Sequence, residues 1–135
     1  MMKTTAWFLT SALLFLFLKI LPAQAIPLNE AIEKGYIRLA AAGTGGHEGE
    51  CLKLKLENLS RKNLDVLVPA GQIFEAGDTT LQNLMVTKEE TFLVSRGKNC
   101  IVRLFGFCVE ASDGSPGEGS VFSLGEMAGG NLLKM

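Results

Sequence analysis

The chain has 135 residues, 47% of them apolar, and its 13 basic and 14 acidic residues leave a net charge of −1. The basic residues are scattered, and no stripe interleaves them with aromatics, which argues against nucleic acid as a partner. A single histidine rules out a blue-copper centre, which needs two.

The first 25 residues stand apart. Met1-Met2-Lys3 is a short basic start, Ala6 to Leu18 is an apolar run, and Ala23-Gln24-Ala25 places small residues around a central one. This pattern predicts a secretory signal peptide over residues 1–25, cut between Ala25 and Ile26. An uncleaved anchor needs about 20 uninterrupted apolar residues, and Lys19 and Pro22 break the run first. No cysteine stands at the cut, so no lipid anchor is expected, and no second apolar run suggests a membrane span. The mature protein is therefore expected to be secreted or periplasmic. Its roughly 110 residues suit one domain, with residues 26–111 as the folded unit and 112–135 as a loop leading into a helical segment.

Residues 27–35 read as a short helix, with Asn29 as cap and Gly35 as stop. The period then changes to alternation. Strands are predicted over 36–40, 52–57, 64–68, 72–75, 83–87 and 91–95, with turns at 60–63, 69–71 and 96–98. Leu52-Lys53-Leu54-Lys55-Leu56-Glu57 alternates without a flaw, so one face is buried and the other wet. Residues 100–109 form the longest strand, apolar on both faces apart from Arg103, which predicts a central position. Phe105 and Phe107 belong to the core in this reading, and Gly106 marks a bulge. Strands every 8–12 residues predict an all-β, immunoglobulin-like antiparallel sandwich. A parallel sheet would need crossover helices for which there is no room. Beyond a loop at 113–119, residues 124–128 and 132–135 predict one or two helical turns. The chain then stops inside an apolar pattern, as a fragment of a longer protein would.

All three cysteines, Cys51, Cys100 and Cys108, follow the signal segment. Export makes a disulfide the default. Cys100 and Cys108 on one strand stand about 26 Å apart at roughly 3.3 Å per residue, beyond the roughly 7 Å that a bridge allows. Cys51–Cys108 and Cys51–Cys100 are left, the first preferred.

The densest local feature is Gly43-Thr44-Gly45-Gly46-His47-Glu48-Gly49-Glu50-Cys51. It reads first as a glycine-rich loop between strands, with Cys51 on the lysine side of its strand. Its donor types also permit a zinc site from His47, Cys51, Cys108 and a carboxylate. No phosphate-binding glycine pattern and no nucleophile triad assemble. Glu89, Glu90 and Glu110 read as solvated faces and turns. No cofactor is expected.

Gly45-Gly46-His47-x-Gly49-x-Cys51, Pro69-Ala70-Gly71-x-x-Phe74, Gln82-Asn83, Gly106-Phe107-Cys108-x-x-Ala111-Ser112 and Pro116 together resemble a family of exported bacterial proteins of unknown function. The resemblance spans most of residues 28–128 and implies an extracellular β-sandwich without an assigned activity. It carries over Gly46, His47, Gly49, Cys51, Gln82, Cys108 and Pro116, and it leaves Cys100 as the free thiol. A fainter similarity, to bacterial thioester adhesin domains, rests on Cys108, but Gln82 is not in the context of their glutamine. The functional expectation is a non-enzymatic envelope or secreted module that binds a protein or surface partner or plays a structural part. The alternative is a metal- or thiol-dependent site using His47, Cys51 and Cys108.

Overall fold

The computed structural model describes residues 24–110 and 113–129. Residues 1–23 of the expected signal peptide, Ala111-Ser112 and the apolar end at 132–135 lie outside the described residues. In chain order the elements are β1 (Ile26–Pro27), α1 (Leu28–Glu33), β2 (Ile37–Thr44), β3 (Glu48–Asn58), β4 (Leu64–Val68), β5 (Gln72–Ala76), β6 (Leu84–Val86), β7 (Glu90–Val94), β8 (Asn99–Cys108) and β9 (Glu118–Met127). The all-β expectation holds. The sandwich does not: six strands close into a barrel of order β2-β3-β8-β6-β5-β9, and β1-β4-β7 form a separate three-stranded sheet.

The reason is β9. Its segment carries Gly119 and Gly125 and was expected to be loop followed by a helical turn. Instead Val121 points out and Phe122 points in, the alternation of a strand. One edge of β9 pairs with β2, through Ala41↔Phe122 and Ala42↔Val121. The other pairs with β5, through Phe74↔Leu124 and Glu75↔Ser123. A strand bonded on both edges joins what would otherwise be two open margins of this six-stranded sheet and so closes the barrel. Gly125 permits the close approach, because a Cβ there would lie 2.9 Å from Glu75 Cγ and 3.1 Å from the Ile73 carbonyl oxygen.

α1 forms where the sequence places it, although Asn29 does not cap it. Pro27 occupies the cap position, and no side chain bonds to the first turn. Gly35 ends the helix at φ +71°, the left-handed stop that glycine adopts without strain.

β3 and β8 form the longest ladder of the barrel. Leu52, Leu54 and Leu56 are buried, while Lys53 and Lys55 face solvent. β8 is central, between β3 and β6, as its composition suggests. It is not apolar on both sides for the expected reason, though. Leu104 is buried, but Ile101 is 61% exposed, and Phe105 lies on the outer face with Lys88 Nζ 5.6 Å from its ring centre. Phe105 is thus no core residue. The bulge is also displaced: the register shifts in β3 between Gly49 and Leu52, not at Gly106. Cys51 and Leu52 are consequently both buried, one after the other, and Cys51 sits inside the barrel rather than beside the lysines.

The small sheet joins the same core through Leu64, Val66, Val68 and Val94, and α1 joins it through Leu28 and Ala31. A buried amide ties the two sheets together. Asn58, at the end of β3, donates from Nδ2 to the carbonyl oxygens of Lys62 (2.8 Å) and Val94 (2.9 Å). Its Oδ1 accepts from Ser60 N (2.8 Å) and Ser60 Oγ (2.6 Å). All four valences of the amide are used, the condition under which a buried polar group is tolerated. Asn58→Ala leaves the Val94 carbonyl unsatisfied and is expected to cost about 2–3 kcal/mol, read from the urea midpoint. A loss below roughly 0.5 kcal/mol would remove this role.

Candidate functional site

The motif residues converge on one end of the barrel. The β2–β3 turn holds Gly45, Gly46 and His47, so the glycine-rich stretch is mostly hairpin rather than loop. Gly45 adopts φ +99° in the tight turn, and Gly49 adopts φ +75° inside β3, at the start of the register shift. The His47 side chain is exposed, and its carbonyl oxygen accepts from Cys108 N–H at 3.1 Å. Cys108 also stands opposite Leu84 of β6. Pro116 is fully buried, and its Cβ lies 3.7 Å from where a Cβ on Gly43 would be.

Two amides hold this end closed. Gln82 donates from Nε2 to the Asp113 carbonyl oxygen (2.8 Å), and its Oε1 accepts from Glu110 N–H (3.3 Å). Asn83 donates from its backbone N and from Nδ2 to the two carboxylate oxygens of Glu110, at 3.0 and 2.9 Å. Asn83 Oδ1 in turn accepts from Ala76 N–H at 2.9 Å. Glu110 is therefore no solvated surface acid: it clamps the exit of β8 to the β5–β6 connection. The adjacent Gln82-Asn83 pair was the only sign of this in the sequence, and the partner carboxylate, far along the chain, was not legible there.

Cys51 and Cys108 face the same interior. Gly106 makes room for Cys51: a Cβ on it would lie 3.3 Å from Cys51 Sγ and only 2.6 Å from the Met85 carbonyl oxygen. All three cysteines are free thiols in this structure. Burial pushes the Cys51 thiol above its ordinary value, and the nearby Cys108 adds to the shift. Burial likewise raises Cys108, helped by the Glu110 carboxylate. A catalytic thiol needs the reverse, a depressed pKa in electropositive surroundings. The proposed zinc set also fails to gather, since Cys51 turns inward while the His47 ring points to solvent. Among the described residues no group of three or more His, Cys, Asp or Glu side chains is arranged to hold a metal.

In the reduced protein, Cys51 is expected to alkylate slowly at neutral pH and to gain reactivity only above the ordinary thiol range of about 8.5. The sign for stability follows: the unfolded chain loses its thiol protons first, so stability is full below that range and falls as pH rises through it. Rapid alkylation of Cys51 at pH ~7 would contradict the burial. Gly106→Ala is expected to destabilise by about 1–3 kcal/mol through the clash with Met85, measured by urea unfolding; an unchanged midpoint would refute it. Among known proteins, no family model, no curated sequence and no solved structure matches this chain.

Proposed function

We propose that the protein is a non-enzymatic module of the cell envelope or the extracellular space, which works by contact through the outside of its barrel. The observation that carries this reading is the employment of the motif side chains. Gln82, Asn83 and Glu110 spend their polar atoms on backbone groups and on one another. Pro116 and Gly106 are fixed by packing. Groups held this way build a rigid end, and they are not presented to a substrate.

The N-terminal pattern supports export, with Ile26 as the first residue of the mature chain. In an oxidising compartment, exchange with a disulfide donor could join Cys51 to Cys108, while Cys100 stays a thiol. Such a link would bind the β3 bulge to the end of β8, within the region that Gln82 and Glu110 already hold together.

Intact mass, elemental analysis and thiol counting on the protein as its host releases it test the proposal together. The expected result is a chain starting at Ile26, no stoichiometric metal, and one titratable thiol that becomes three on reduction. Stoichiometric zinc, or a thiol that reacts within seconds at neutral pH, would replace the proposal with the metal- or thiol-dependent alternative.

A further inference from the structure

The outer face of β2, β3, β8 and β9 carries a charge arrangement that the fold does not explain. Lys53 stands directly opposite Arg103, and Lys55 lies one row along on the same face of β3. Like charges directly opposite on neighbouring strands oppose pairing. Among the described residues, none of the three has a carboxylate at ion-pair distance. Glu57 is engaged by Arg38 at 3.1 Å, and Glu118 sits at the rim of a neighbouring hollow that Lys53 and Arg103 also line.

Apolar residues fill the same face. Ala42 pairs with Lys53 on one side and Val121 on the other, and Lys55 lies between Ala40 and Ile101. Val121 is 70% exposed. The two alanines floor a groove of about 450 Å³ whose walls include Leu39, Lys53, Lys55 and Val121. Phe105, under Lys88, continues the mixture along β8.

We propose that this face docks on an anionic phospholipid bilayer. Lys53, Lys55 and Arg103 take the headgroup phosphates, and Val121 and Ile101 enter the interfacial layer. Charge complementarity selects this occupant: uncompensated cations interleaved with exposed aliphatic side chains match a surface that is anionic outside and apolar beneath. Single-stranded nucleic acid would instead call for open aromatic stacking platforms; the groove itself is lined by aliphatic side chains beside its lysines, and Phe105 further along the face lies under Lys88. The inference rests on the reading of the barrel's outside as the contact surface. Its failure would leave the metal and thiol results of that reading untouched.

The test uses the protein as its host processes it, in co-sedimentation with vesicles. The expected result is binding to phosphatidylcholine vesicles containing about 30% phosphatidylglycerol, with loss at roughly 0.5 M salt and no binding to phosphatidylcholine alone. Lys53→Glu separates function from folding, because the new carboxylate faces Arg103 and relieves the like-charge pair. Its melting temperature should hold or rise, while anionic-vesicle binding drops about tenfold or more. Arg61→Glu, in the β3–β4 turn, should leave binding within about twofold. Equal binding to neutral vesicles, no binding at all, or binding unaltered in Lys53→Glu would each overturn the proposal. So would Lys53-dependent capture of a soluble polyanion without capture of vesicles.

Discussion

Two residues of β3 stand opposite one residue of β8, and this irregularity governs the side-chain arrangement of the barrel. The register passes from Gly49↔Gly106 to Leu52↔Leu104, so Glu50 and Cys51 share the space facing Phe105. A strand alternates strictly, and one extra residue inverts which side chains face inward on the far side of the bulge. Cys51 thereby joins Leu52, Leu54 and Leu56 in the interior, and Lys53 and Lys55 are turned outward beside Arg103. The bulge is possible because Gly106 has no side chain: the thiol of Cys51 and the backbone of β6 close over the space a methyl group would need.

The barrel end next to the bulge is held by polar groups that satisfy one another. Gln82, Asn83 and Glu110 connect the β5–β6 segment to the exit of β8, and the His47 carbonyl receives the Cys108 amide. Such a network is favourable only when complete, because each unpaired member would cost more than a paired one contributes. At the far end of β3, Asn58 does the same for the junction between barrel and sheet. The long ladder between β3 and β8 is thus anchored near both ends by amide side chains. The broad outer face between the anchors is left free of structural duty.

Much of the fold was legible in the sequence. The alternation at 52–57 placed three leucines inside and two lysines outside, and the helix at 28–33 ended at Gly35 as expected. The errors share a cause. Cys51, Phe105 and the bulge depended on which residue of one strand faces which residue of another, and composition along one strand carries no register. The strand at 118–127 differs from the expected loop at 113–119 and helical turn at 124–128, because its pairing with β2 and β5 overrides that local pattern and Gly125 serves close strand approach. The candidate site was half legible. Gln82, Cys108 and Pro116 stood out as a set, but their partners Glu110 and Asp113 and the raised thiols are products of folding.

The sequence alone determined the all-β class of structure and the polarity of strands that alternate cleanly, such as residues 52–57 of β3, because hydrophobic periodicity is a local property that burial enforces residue by residue. It also determined the export signal pattern, the supply of three thiols and the lone histidine. Tertiary structure decided that the strands close into a barrel, because closure requires β9 to find β2 and β5, and that pairing is written in no single segment. It also turned Cys51 inward, away from His47, and set Lys53 against Arg103. Those outcomes depend on register, which is settled only when distant strands meet and the whole core packs at once.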